Sequence, residues 1–221
     1  MRRPIVLLLL AVVPACSGGA SKTSKPANPA TDKATAVKIN LRESDFPSGW
    51  KSTPYNPTPQ QAASPRQLAQ CLGSAAAASQ ATADVHSPDF ATGQTTMAAS
   101  NVHVARTEAD AGNELAAYQS GKGPECFKQS FEPVVQARLP AGTTASDMAV
   151  HQLDFPTLRD GTAAYQASFT LPLGGNNVAV YSDYIVFQAG RSLVNMFTTS
   201  VGSPFDPKLE KDLANKMAGR A

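Results

Sequence analysis

The segment that decides the fold is residues 161–199, which read GTAAYQASFTLPLGGNNVAVYSDYIVFQAGRSLVNMFTT. Between Thr162 and Leu171 polar and apolar side chains alternate, and this period of two predicts a strand with one buried face. Two turn sequences, GGNN and AGR, separate this strand from further strands at 178–187 and 193–199. The segment therefore predicts the centre of an antiparallel β-meander of about four strands.

The second and third of these strands differ from the first in carrying large apolar residues on both faces. Strands of this kind lie at the centre of a sheet and are covered on both sides. In the second strand the two sets are Tyr181, Ile185 and Phe187 on one face, and Val180, Tyr184 and Val186 on the other.

Four aromatic residues are candidates for ligand binding. If the helices leave one face of the sheet partly open, Tyr181, Tyr184 and Phe187 line a groove, which is the default place for a binding site. Trp50, the only tryptophan, either fills the core or lines the wall of such a cleft.

Capping signals outside the meander predict helices and one further strand. A helix from Ser64 to about Gln80 begins with an N-cap serine, a proline at the first helical position and a capping-box glutamine. A strand is expected at 95–106, further helices begin near Thr107 and Gly123, and a closing helix is capped by Asp206-Pro207. Together these elements predict an α+β fold, in which an antiparallel sheet of about five strands packs against three to four helices.

The first residues of the chain carry a targeting signal. Two arginines precede an apolar run at 5–13, which is too short to span a membrane and has the length of a signal-peptide core. The residues around Cys16, Val13-Pro14-Ala15-Cys16-Ser17, resemble the bacterial lipobox, apart from the unusual Pro14. That resemblance implies cleavage before Cys16, lipid on its thiol, and anchoring on the outer face of the cytoplasmic membrane. The alternative is an ordinary secretory signal in which Cys16 is incidental.

The segment after Cys16 has the composition of a tether. Up to Ala36 it consists mainly of Ser, Gly, Ala, Lys, Thr and Pro, with no aromatic residue and no aliphatic residue larger than alanine. We therefore expect residues 1–15 to be a signal peptide, residues 16–36 to be the lipidated cysteine and a flexible tether, and residues 37–221 to form a single domain.

The other two cysteines, Cys71 and Cys126, form an even pair once Cys16 is assigned to lipid. Both are expected on the inner sides of helices, and an exported protein folds in an oxidising compartment. We therefore expect a disulfide between them. A catalytic or redox-sensing thiol is the less favoured interpretation, because the two residues do not form a CxxC motif.

Composition and motif content argue against several functions. The chain has 19 Lys and Arg against 17 Asp and Glu, and loss of Arg2 and Arg3 with the signal peptide makes the totals equal, so nothing indicates nucleic-acid binding. The three histidines are widely spaced and carry no metal-binding motif, and no nucleophile elbow occurs. We expect a non-catalytic protein without metal or cofactor, although a serine hydrolase triad assembled by the fold remains an alternative.

Two stretches of the sequence resemble a known family, the actinobacterial envelope lipoproteins related to the extracellular sensor domains of mycobacterial serine/threonine kinases. The first is 45–50, DFPSGW, and the second is the meander from Gly161 to the closing helix. The resemblance implies a compact, often disulfide-bridged α+β extracellular domain that binds an envelope ligand or partner. It supplies no catalytic residue.

The sequence thus leaves two main hypotheses for function. In the first, a lipid-anchored domain of the cell envelope acts as a ligand-binding or sensor-like module for a lipid, a glycan or a peptide, which predicts an apolar cleft with a few polar groups. In the second, the protein is an accessory or scaffold subunit that docks on a membrane protein or cell-wall complex, which predicts an exposed apolar patch.

Overall fold

The computed structural model describes residues 28–75, 80–139, 142–173 and 176–221. The expected signal peptide, Cys16 and the first part of the expected tether lie outside these residues. The described helices are α1 (Pro29–Ile39), α2 (Pro59–Leu72), α3 (Glu108–Tyr118), α4 (Gly123–Gln136) and α5 (Pro207–Arg220), and a short 3-10 helix covers Glu43–Asp45. The strands are β1 (Lys51–Thr53), β2 (Ala83–His86), β3 (Asp89–Thr92), β4 (Thr96–Val104), β5 (Ser146–Gln152), β6 (Gly161–Leu173), β7 (Asn176–Ala189) and β8 (Ser192–Val201).

All eight strands belong to one antiparallel sheet, in the order β1-β3-β4-β8-β7-β6-β5, with β2 also paired to β4. The α+β class and the C-terminal meander are confirmed, since β5 to β8 are consecutive neighbours. The expected number of about five strands is too low. β1, β2 and β3 have three or four residues each, which is too short to show an alternating pattern.

The sheet is covered by helices on both faces, as the apolar residues of the central strands predict. Helices α1 and α5 cover one face, where Ile185, Phe187 and Met196 form a core with Leu213 and Met217. Helices α2, α3 and α4 cover the other face, where the core is built on side chains of the meander and of α4.

The boundary between tether and domain lies earlier than the sequence predicts. Residues 29–36, expected to belong to a flexible tether, form most of α1, which Asn28 caps through its side-chain oxygen. Ala36 is fully buried, and buried Asp32 forms an ion pair with Arg191 and accepts a hydrogen bond from Thr82. Asn28-Pro29, an N-cap followed by proline at the first helical position, was the available signal for this helix.

Helix α2 also begins earlier than expected. Thr58 and Gln61 form a reciprocal capping box, with Pro59 at the first helical position. The same signature at Ser64 and Pro65 therefore lies inside the helix. The helical backbone places Cys71 next to Cys126 of α4, and a disulfide joins the two residues, as the cysteine count predicts.

In the described ranges no helix has both the length and the apolar composition that crossing a bilayer requires.

Candidate functional site

A cavity of about 880 Å³ lies between the sheet and helices α2 and α4. Its floor is formed by side chains of β4, β8, β7 and β6. Much of one wall is formed by Phe127, Phe131 and Val135 of α4, together with Leu139 just after that helix. The disulfide fixes α2 against α4 beside this wall. The volume lies within the range of roughly 300–1,000 Å³ that is typical of small-molecule sites.

One end of the cavity is apolar. The strand pairing places Val201 opposite Val180 and Val180 opposite Phe169. These side chains line the cavity together with Leu171. An apolar group placed here loses its contact with water without requiring a hydrogen-bond partner.

The other end is polar because Asn101 of β4 lies opposite Asn195 of β8. The Tyr184 hydroxyl donates to Asn195 Oδ1 at 2.7 Å and lies 3.4 Å from the hydroxyl of Tyr118. Asn101 donates to Asp84 Oδ1 at 2.6 Å. Burial raises the pKa of the Tyr118 and Tyr184 hydroxyls, so both stay protonated at neutral pH. This end therefore has fixed hydrogen-bonding groups.

His103 and Glu114 line the cavity at its polar end. His103 is 9% exposed and Glu114 is 5% exposed, and 3.6 Å separates Nε2 of the histidine from Oε2 of the glutamate. Neither atom has a hydrogen-bond partner. Burial raises the pKa of Glu114 to about 7, with a further contribution from nearby Asp84. Burial also lowers the pKa of His103, so the pair is least costly when both groups are neutral.

Exposed and half-buried residues mark the part of the cavity lining that meets solvent. Tyr55 stacks on His86 with ring centroids 4.1 Å apart, and Asp89 and Arg138 lie on the same lining. This partly open arrangement would allow a small molecule to enter from solution.

Of the four aromatic candidates, only Tyr184 lines this cavity. Tyr181 and Phe187 point to the opposite face of β7, since successive side chains of a strand alternate between faces. Phe187 is completely buried in the core beneath α1 and α5. Grouping the three in one groove was therefore wrong.

Trp50 lies on the α1 and α5 side of the sheet and not at the cavity. Its ring packs against Phe46, with centroids 4.6 Å apart, and against Phe205, with centroids 6.1 Å apart. Phe46 stacks in turn on Phe90. The DFPSGW segment therefore serves packing, and Gly49, with φ of +95°, provides the left-handed turn between its two aromatic residues.

The sequence analysis missed His103 and Glu114 as site residues. His103 lies on β4 and is buried. A signal for Glu114 was present, because it lies at helical spacing from the buried stripe of Ala111, Leu115 and Tyr118. A glutamate on an apolar stripe marks a buried ionisable group.

A second group of buried carboxyls lies on the opposite face of the sheet. Asp183 of β7 is 3% exposed and Glu210 of α5 is 4% exposed. Thr198 donates to Glu210 Oε1 at 2.7 Å, while Asp183 Oδ1 has no partner. Burial raises the pKa of Glu210 to about 8, aided by the charge of Asp183, and burial also raises the pKa of Asp183.

We expect Glu210→Gln to stabilise the domain at pH 8. The pKa of Glu210 is raised on folding, so its stabilising contribution is complete below about pH 4.5 and is lost as the pH rises towards 8. The variant should exceed the unaltered chain in free energy of unfolding by less than about 1 kcal/mol at pH 5 and by roughly 4 kcal/mol at pH 8. Urea unfolding at the two pH values measures this difference. Glu132→Gln, at an exposed glutamate, is the control, and equal behaviour of both variants would contradict the prediction.

The described residues also show whether His, Cys, Asp and Glu side chains cluster at a spacing suited to a metal ion. Among residues 28–221, apart from the undescribed positions, no group of three or more His, Cys, Asp or Glu is placed to hold a metal ion.

Comparison with known proteins finds solved structures of low similarity. No protein-family model matches the sequence, and no curated protein matches it either. The extracellular domain of PknH from Mycobacterium tuberculosis is 10% identical, with a TM-score of 0.45 over 85% of this chain and 93% of that one. LpqN, involved in cell envelope biogenesis of the same organism, is 13% identical, with a TM-score of 0.31 over 79% of this chain and 78% of that one. PA94 of Pseudomonas aeruginosa, a protein of unknown function, is 13% identical, with a TM-score of 0.24 over 62% of this chain and 80% of that one.

At these identities the likeness concerns the fold, and no functional residue is transferred from these proteins to this chain.

Proposed function

We propose that this protein binds an amphipathic small molecule in the cavity between the sheet and helices α2 and α4, while lipid on Cys16 holds it on the outer face of the cytoplasmic membrane. The observation that supports binding is the cavity itself, which is apolar at one end and has fixed polar groups at the other. A ligand with an apolar part and a polar group matches both ends. The signal-like N-terminus and the lipobox resemblance support the location.

The accessory-subunit hypothesis has less support. It expects an extended apolar patch on the surface. In the described part of the chain, Val37 is the only large apolar side chain that is exposed, at 57%. One such residue does not form a patch, so a binding function is favoured over docking through an apolar face.

Co-purification tests the proposal directly. The chain from Ser17 to Ala221 is exported behind a conventional signal peptide and analysed by native mass spectrometry, with extraction and identification of bound lipids. We expect a bound amphipathic molecule on the unaltered chain. An unliganded mass from several bacterial hosts, with no uptake of added lipids, would overturn the proposal.

A cavity-filling variant locates the bound molecule. Ala99 of β4 lies on the cavity floor, so we expect Ala99→Phe to reduce ligand occupancy at least about tenfold by occupying the space that the ligand needs. Ala91→Phe makes the same substitution at an exposed position of β3 and should leave occupancy unchanged. Equal occupancy in both variants would place the ligand outside the cavity.

A further inference from the structure

We propose that His103 and Glu114 together bind the uncharged hydroxyl head group of the ligand, so that the molecule carried is a long-chain alcohol or another hydroxyl-bearing amphiphile. This inference rests on the proposed function and adds the chemical class of the ligand. It comes from two unpartnered polar atoms, on buried side chains that line the cavity.

Leaving these two atoms without partners is costly. A buried polar group without a hydrogen bond destabilises a protein, and most buried polar groups have partners for this reason. The neighbouring polar residues satisfy one another, since Tyr184 donates to Asn195 and Asn101 donates to Asp84. Among the described residues at this end, His103 Nε2 and Glu114 Oε2 are the fully buried side-chain atoms that have no hydrogen-bond partner.

The spacing of the two atoms favours one bridging oxygen. At 3.6 Å they are too far apart for a good mutual hydrogen bond. An oxygen about 2.8 Å from each atom would satisfy both. To do so it must donate one hydrogen bond and accept another, and a hydroxyl group has this capacity. A small rotation of the Glu114 carboxyl about its terminal bond, which is a soft torsion, would give the ligand access.

The charges around the site favour an uncharged head group. Burial raises the pKa of Glu114 and lowers that of His103, which favours the neutral form of each group. An anionic head at His103 and Glu114 would meet the carboxyl groups of Asp84 and Glu114, whereas the two arginines of the lining, Arg66 and Arg138, are exposed to solvent. A cationic head would be stripped of water, at a cost of several kcal/mol, before pairing with a glutamate that is neutral in about half of the molecules at pH 7.

The test compares four probes with the same ten-carbon chain: decan-1-ol, decyl methyl ether, decanoate and decylammonium. Binding to the chain from Ser17 to Ala221 is measured by isothermal titration calorimetry at pH 7. We expect decan-1-ol to bind about tenfold more tightly than the ether, which accepts hydrogen bonds but cannot donate one. We also expect it to bind more tightly than either charged probe.

Two variants show which residues cause this preference. His103→Leu and Glu114→Leu should each reduce the difference between alcohol and ether to less than about twofold, while binding of the ether is retained. Glu210→Gln is the matched control, because it changes a buried glutamate on the opposite face of the sheet and should leave the preference unchanged. The probe series on the unaltered chain is informative even if a variant does not fold.

The outcomes separate the two proposals. Equal binding of alcohol and ether, or tightest binding of a charged probe, would overturn the hydroxyl assignment and leave the cavity as a binding site. A preference for the alcohol that persists in both leucine variants would also overturn it. Failure of all four probes to bind would overturn the proposed function together with this inference.

Discussion

Replacing Arg220 with methionine is expected to lower the free energy of unfolding by about 3–5 kcal/mol, the usual effect of removing one partner of a buried ion pair. The Arg220 guanidinium donates to both carboxyl oxygens of Asp45 at 2.8 Å, and also to the backbone oxygens of Ile39 and Asn40. Both side chains are largely buried, at 12% and 4% exposed. The variant leaves the Asp45 carboxylate without its main partner.

The pKa of Asp45 gives the same conclusion. Burial alone would raise it, but the hydrogen bonds and charge of Arg220, with help from Arg42, lower it below its ordinary value. The carboxylate is therefore stabilised in the folded state by the group that the variant removes.

Chemical denaturation at pH 7 measures the effect. Arg106→Met, at an exposed arginine, should change stability by less than about 0.5 kcal/mol. Combining Arg220→Met with Asp45→Asn should recover part of the loss, because no charge then remains buried. A loss below about 1 kcal/mol in Arg220→Met would show that the ion pair is not important for stability.

Removal of the disulfide is expected to cost about 4 kcal/mol. Cys71 and Cys126 are 55 residues apart in sequence, and the chain-entropy model gives about this value for a loop of that length. The Cys71→Ser/Cys126→Ser chain should unfold at lower urea concentration with a similar slope. A change of less than about 1 kcal/mol would contradict the prediction.

The disulfide should also affect ligand binding because it joins the two helices beside the cavity. In the serine variant, α2 is held to α4 by weaker contacts, such as the hydrogen bond of 3.0 Å from Ser64 Oγ to the carbonyl of Ser130. We expect the variant to bind decan-1-ol more weakly under conditions where the domain remains folded. The isothermal titration calorimetry described above measures this affinity. Unchanged affinity would show that packing of α4 on the sheet is enough to position the cavity wall without the disulfide.

Much of the architecture could be predicted because local patterns express it. The alternation in β6, the apolar residues on both faces of β7, and the caps at Thr107 and Asp206 all depend on neighbours in sequence. Helix α1 escaped prediction because its stability comes from distant contacts: Ala36 and Ile39 are buried against the sheet, and Asp32 pairs with Arg191.

The candidate site was less predictable for the same physical reason. His103 and Glu114 lie on different elements, and their proximity depends on how α3 packs on the sheet. Tyr184 was identified because alternation in a strand can be read from sequence. The same alternation places Tyr181 and Phe187 on the opposite face of β7 from Tyr184. Those two residues could therefore have been excluded from the candidate groove on sequence alone.

Helix α1 limits how far the domain can move from an anchor at Cys16. Residues 17–27 separate that cysteine from Asn28, the helix cap, and a fully extended chain of this length spans at most about 40 Å. If Cys16 carries lipid, Asn28 can never be further than this from the membrane surface. The domain would then sample only a thin layer next to the bilayer, which suits exchange of molecules with that membrane and excludes long-distance delivery by an anchored copy.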